Sequence, residues 1–172
     1  MIVTTKKGDG GKTSLYDGSR VDKTDLIIEL NGELDECNAL LGLCKVMCGE
    51  ASEDAGSPFH ASAFETIQRE LMDLMALIAR DADKTKELTL SQAIGRMEAY
   101  INKVAKDRAF KFVLPGRDRT DALLHIVRTK VRTCERRLVA LMAADDGYAP
   151  VLRVYLNRLS DYLFCMILDR WK

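Results

Sequence analysis

The sequence predicts an all-α protein, an up-and-down bundle of about five helices with a Gly/Lys-rich N-terminal loop. The clearest observation is the stretch 119–143, where Leu124, Val127, Val131, Cys134, Leu138 and Leu141 recur at alternating spacings of three and four, the seam of a helix packed among helices. Further stretches of helical period follow one another without strands alternating between them, which excludes a parallel α/β fold. Neither a fixed-period repeat nor a linker interrupts the 172 residues, so 1–172 is expected to be a single domain able to bury its own core.

The first twenty residues, MIVTTKKGDGGKTSLYDGSR, lack helical periodicity and are expected to form a loop. A first helix is expected from about Asp25 to Cys48, burying Leu30, Leu34, Cys37, Leu41 and Cys44, with Asp35 beside the edge of that stripe. The small, polar segment 49–58 marks a surface loop, and Ser57 with Pro58 resembles an N-cap and first helical residue. The second helix then turns Phe64, Ile67, Leu71, Leu74 and Ile78 inward and runs to about Ala82. Thr89 and Gln92 form a capping-box signal for a third helix ending near Lys106. FKFVLPG (110–116) alternates Phe110, Phe112 and Leu114 as an extended piece, and Asp118 or Thr120 is placed to cap the helix after it. The last helix starts at Pro150 and runs to the terminus. Val151, Val154, Leu159, Leu163, Met166 and Ile167 are its apolar side, and Asn157 and Asp161 its polar side.

Lys plus Arg equal Asp plus Glu at 26 each, so no global field recruits nucleic acid or a membrane surface, and any anion site must be local. No apolar run approaches the ~20 residues of a membrane span. Five cysteines, an odd number without a secretory leader, predict a reduced cytoplasmic protein. Cys37, Cys44 and Cys48 continue an apolar row and are expected to act as small hydrophobes rather than metal ligands. Neither His60 nor His125 belongs to a Glu-x-x-His pattern, so no metal site built from protein side chains is expected.

Beside the apolar seam of 119–143 runs a second stripe, His125, Arg128, Arg132, Glu135 and Arg136. Its guanidinium groups recur every four residues, a spacing at which like charges repel by about 0.2–0.5 kcal/mol per pair in an isolated helix. Either water solvates this face or an anion lies opposite it. The N-terminal segment supplies lysines, hydroxyls and glycine-exposed amides, the materials of a phosphate cradle. It is not a P-loop, because Lys6 stands where G-x-x-x-x-G-K-[ST] needs glycine.

Four separated pieces, TTKKGDGGKTSL (4–15), NGELDECNALLG (31–42), FVLPG through LHIVRTKVRTCERR (112–137) and YLNRLSDYLF (155–164), together resemble the PduO-type ATP:cob(I)alamin adenosyltransferases over nearly the whole chain. The resemblance implies a homotrimer with active sites between subunits. It implies that Thr5, Lys6, Lys7, Gly8, Thr13, Ser14 and Lys23 enclose the triphosphate of ATP, carried with Mg²⁺, while Arg132, Glu135, Arg136 and Asn157 complete the ATP site. Asp35 and Arg128 correspond to an intersubunit salt bridge, and Phe112 to an aromatic against the corrinoid, with Arg132 and Phe112 carrying the chemistry. Other implied partners are a reductase and adenosylcobalamin-dependent enzymes.

The residues agree with what such a reaction demands. A cob(I)alamin cobalt is itself the nucleophile toward the ribose C5′, so the protein must stabilise a triphosphate leaving group, and cations and backbone N–H groups do that. Thr133, Arg117 and Glu33 depart from the family pattern, standing for a usual arginine, glycine and threonine. A non-catalytic ATP- or corrinoid-binding carrier of the same fold is the alternative.

Overall fold

The computed structural model describes residues 6–49, 61–106 and 113–170. Five helices carry it: α1 (Leu26–Gly49), α2 (Ala61–Ile78), α3 (Lys84–Ala105), α4 (Arg119–Ala144) and α5 (Val151–Asp169). They alternate in direction along the chain, as an up-and-down bundle requires. Antiparallel α1 and α2 are cross-linked by Asn31 Nδ2 donating to Met75 O at 3.2 Å and Gln68 Nε2 donating to Asn38 O at 3.0 Å. The helices form a closed ring, with α1 against α2 and α4, α5 against α4 and α3, and α2 completing the circle with α3.

The seam residues of α4 named above are all buried, as are Leu30, Leu34, Cys37, Leu41 and Cys44 of α1 and Phe64, Ile67, Leu71, Leu74 and Ile78 of α2. In α5 the core also takes Leu152, Tyr155, Leu156 and Tyr162, more of the helix than its expected apolar side, while Val151 and Val154 are only half-buried. Tyr155 is large and fully enclosed, so its hydroxyl needs a partner inside. It donates to Glu70 Oε2 at 3.0 Å, and Arg96 Nη2 holds Glu70 Oε1 at 2.6 Å. This cluster pins α2, α3 and α5 together.

The N-terminal loop contains a small sheet. β1 (Lys12–Ser14) pairs antiparallel with β2 (Arg20–Asp22), Thr13 opposite Val21. Gly18 closes the turn at φ +82, a region that suits a residue without Cβ, and Asp17 Oδ1 accepts from Ser19 N at 2.8 Å. The hairpin is tied to the bundle by Leu15, which enters the core, and by Tyr16 N donating to Ala79 O at 2.9 Å.

The third helix begins earlier than its capping-box signal. Asp83 is the N-cap, its side chain accepting from Thr85 N at 2.9 Å, and Thr89 lies inside the helix with its hydroxyl donating to Thr85 O. The expected cap Asp118 does start α4, accepting from Asp121 N at 2.9 Å. Asp121 in turn takes Gly116 N at 2.8 Å and Arg117 N at 3.1 Å, which fixes the turn entering the helix. Ser57, Pro58, Phe110 and Phe112 lie outside the described residues.

Candidate active site

The cations of α4 divide between two sides. Lys130 and Arg137 turn to α1, where Lys130 Nζ meets Glu36 Oε2 at 2.8 Å and Arg137 Nε meets Glu33 Oε1 at 2.8 Å. Glu33, one of the departures from the family pattern, therefore helps dock α1 to α4. Arg128 and Arg132 remain on the α5 side, while Arg136 lies along α4 itself against Thr133, and none of the three reaches a carboxylate at ion-pair distance among the described residues. Arg132 and Arg136 are exposed.

Arg136 Nη2 donates to the Thr133 hydroxyl at 3.1 Å, and that hydroxyl donates on to Thr129 O at 3.3 Å. The threonine replacing a usual arginine thus removes a like charge and restrains the neighbouring guanidinium. Arg128 is half-buried, its guanidinium 5.7 Å from the centre of the Phe164 ring on α5. Burial first, and then the neighbouring Arg132, lower its pKa from the usual arginine value.

Glu135 and Asn157 meet across the α4–α5 interface, Asn157 Nδ2 donating to Glu135 Oε1 at 2.9 Å. Arg158 Nη1 donates to Asn157 Oδ1 at 2.7 Å, and Arg158 Nε donates to Glu98 Oε1 at 2.7 Å. One turn further along α5, desolvation raises the Asp161 pKa while Arg158 and Arg132 oppose the shift. Glu98 and Arg158 were not among the expected site residues. Arg158 sits inside the YLNRLSDYLF piece, which was the only sequence signal for it.

In the N-terminal segment, Lys6 adopts φ +56 and Gly11 φ +79, so the chain turns tightly between them. Arg20 Nη2 donates to Lys7 O at 3.1 Å and Lys23 N to Gly11 O at 2.8 Å, closing the segment onto β2. A Cβ built on Gly8 would stand 3.3 Å from Lys23 Nζ, so the missing side chain makes room for that ammonium. Thr13 and Ser14 follow on β1. The structure thus brings Lys6, Lys7, Gly8 and Lys23 together as one cationic turn, and Arg132, Glu135 and Asn157 together at the α4–α5 face, with Arg136 one helical turn from Arg132 and bonded to Thr133.

It does not join the two. Among the described residues no hydrogen bond or ion pair links the N-terminal turn to the α4–α5 face. Two expectations are corrected. Asp35 is exposed rather than set at the core edge, and it has no partner within its own chain among the described residues. His125 belongs to the core and not to an open basic stripe, being only 4% exposed, and both its ring nitrogens are buried without a hydrogen-bond partner among the described residues. Thr5 and Phe112 lie outside the described residues.

The fold and site together define an α-helical bundle with a basic helix face and a lysine–glycine turn, features suited to an anion, and the comparisons specify its family. Residues 3–169 match the family model described as cobalamin adenosyltransferase, so the chain belongs to that family. It is similar to the corrinoid adenosyltransferase of Bacillus subtilis, 40% identical over 168 residues that cover 95% of this chain and 83% of the relative. The corrinoid adenosyltransferase PduO of Salmonella typhimurium is 38% identical over 171 residues, 96% of this chain but 48% of the relative, so the chain spans about half the length of that protein. Among solved structures, a variant of the PduO-type ATP:corrinoid adenosyltransferase from Lactobacillus reuteri complexed with cobalamin and ATP superposes with TM-score 0.81 at 27% identity, over 99% of this chain and 94% of that one. A second variant of that enzyme, complexed with ATP, gives TM-score 0.82 at 28% identity, over 98% of this chain and 93% of that one.

Proposed function

We propose that the protein transfers the 5′-deoxyadenosyl group of ATP to the cobalt of cob(I)alamin, giving adenosylcobalamin and triphosphate. The observation that carries this is the α4–α5 face, where Arg132 and, one helical turn on, Arg136 reach no carboxylate at ion-pair distance among the described residues, while Glu135 and Asn157 are held to each other by a hydrogen bond. In this reading the guanidinium groups take triphosphate oxygens, and the Glu135–Asn157 pair takes polar edges of the nucleoside. Lys6, Lys7, Gly8, Thr13, Ser14 and Lys23, with Thr5 before them, enclose the phosphates from the other side. Mg²⁺ would arrive with ATP and would offset part of the triphosphate charge beside these cations.

The cobalt attacks C5′, the C5′–O bond breaks, and the electron pair leaves with the triphosphate. Positioning and charge stabilisation are the protein's contributions, since no side chain forms a bond. Arg132 stabilises the leaving group, and Phe112 lies against the corrinoid to keep water and the lower ligand from the cobalt.

The separation of the two clusters within one chain supports a homotrimer, in which the lysine turn of one subunit covers the α4–α5 face of the next. Arg128 then meets Asp35 of an adjacent copy. A reductase supplying cob(I)alamin and enzymes using adenosylcobalamin are the implied partners, in the cytoplasm. None of the helices is long and apolar enough to cross a membrane among the described residues.

Incubation with ATP, Mg²⁺ and chemically reduced cob(I)alamin, followed by absorbance and by triphosphate release, tests the reaction. Stoichiometric loss of the cob(I)alamin spectrum with triphosphate formation is expected. Binding of both ligands without turnover would make the protein a carrier, and binding of neither would overturn both readings.

A further inference from the structure

We propose that Arg158 is the positioning residue that sets which way the Asn157 amide faces, and that Glu98 on α3 holds Arg158 in place to do so. The inference rests on the reading above that Asn157 and Glu135 contact ATP.

The oxygen and nitrogen ends of an asparagine amide are nearly the same size, so shape alone does not choose between its two orientations; hydrogen-bond partners do. Asn157 has one partner of each kind. Arg158 Nη1, a group that only donates, stands 2.7 Å from Oδ1, and Glu135, a carboxylate that only accepts, stands 2.9 Å from Nδ2. Turning the amide over would set NH₂ against guanidinium and carbonyl against carboxylate, so both contacts would become repulsive. With either charged neighbour removed, one of those two constraints is lost.

Arg158 is itself directed. Its Nε donates to Glu98 Oε1 at 2.7 Å, so two different nitrogens of one planar group are committed, one to α3 and one to Asn157. An ammonium would have to reach both acceptors from a single nitrogen, whereas the guanidinium reaches them from two nitrogens fixed in one plane. The order Glu98, Arg158, Asn157, Glu135 therefore runs from α3 through α5 to α4. In this way α3, which supplies none of the expected site residues, sets the polarity of the pair at the site. Glu135 keeps its second oxygen for the nucleotide because Asn157 engages only Oε1.

Two measurements on the full chain test this. In the absence of nucleotide, the side-chain amide protons of Asn157 should give shifted, slowly exchanging NMR signals that move toward free-amide values and exchange faster in Arg158→Leu, where only the Glu135 contact is left to fix the amide; unchanged signals would overturn the proposal. For ligand binding, MgATP titrated calorimetrically into Arg158→Leu should bind about tenfold more weakly than into the parent protein, the scale of one lost charge-assisted hydrogen bond. In an Asn157→Ala background the same change should add less than about twofold, because a positioning residue has nothing left to position. Full additivity would show that Arg158 acts on the ligand by itself and would overturn the proposal. Should Arg158→Leu fail to fold, Glu98→Leu keeps the arginine but frees its direction, and the same non-additivity with Asn157→Ala is expected, whereas additivity overturns it. Arg158→Lys should not restore affinity. If the parent protein does not bind MgATP at all, the assignment of Asn157 to ATP fails, and the amide signals still decide whether Arg158 orients it.

Discussion

The guanidinium of Arg128 lies 5.7 Å over the ring of Phe164, yet its Nε is buried without a hydrogen-bond partner among the described residues. A cation so placed is incompletely satisfied, and the exposed carboxylate of Asp35 has the complementary need. Asp35→Asn is expected to weaken assembly by about 3 kcal/mol at each interface, the cost of leaving one member of a buried pair alone. Light scattering across a dilution series would show the mass falling at concentrations where the parent protein stays assembled. An unchanged dilution profile removes Asp35 from the interface.

Gly8 is open where Lys23 needs space. A methyl group there would come 3.3 Å from Nζ, so Gly8→Ala should displace the ammonium without disturbing the β1–β2 pairing. The expected result is weaker MgATP binding by up to about tenfold, or 1.4 kcal/mol, with the thermal midpoint unchanged. Equal affinity would mean that Lys23 does not approach the phosphates.

Burial lowers the pKa of His125, with Arg128 acting in the same direction and Asp121 opposing. In the folded protein the ring therefore takes up a proton at lower pH than in the unfolded chain, whose histidine titrates near 6.5. Its contribution is fully present above about pH 6.5 and is lost as pH falls from there through the depressed native value. Urea unfolding between pH 7 and 5 should show stability decreasing, and His125→Leu should decrease less steeply over the same interval. Parallel slopes would show that another group governs the decline.

The role proposed for Phe112, against the corrinoid, is separable from nucleotide binding. Phe112→Ala should leave MgATP affinity and the thermal midpoint nearly unchanged while slowing adenosylation that starts from cob(II)alamin by at least about tenfold. If the residue were simply core, the same change would cost about 3–5 kcal/mol of stability, which a melt would reveal at once.

Much of the bundle was legible because each long helix carries one uninterrupted apolar row. Leu124 through Leu141 and Leu30 through Cys44 are buried as their spacing demands. The start of α3 was less legible because its first turn is polar and Leu88 faces solvent, so the apolar rhythm begins only at Leu90. Strands of three residues, KTS and RVD, are too short for alternation to register. For the candidate site, Arg132, Glu135 and Arg136 stand out in one basic stripe and Asn157 in a short motif, and the structure brings Glu135 and Asn157 into contact. The task of Arg158 could not be read there, since it depends on Glu98, sixty residues earlier in the chain and brought beside it only by the packing of α3 on α5.

All five cysteines are buried, and two of them, Cys37 on α1 and Cys134 on α4, face each other with sulfurs 3.8 Å apart. Contact with the other thiol and burial keep Cys37 protonated far above the ordinary thiol range, and burial pushes Cys44 up to about 12. The native molecule therefore offers an alkylating reagent no ready target. A label that reaches Cys37 or Cys134 must do so while α1 stands away from α4, and the pace of its incorporation at that pair becomes a clock for the breathing of the seam around which the bundle is built.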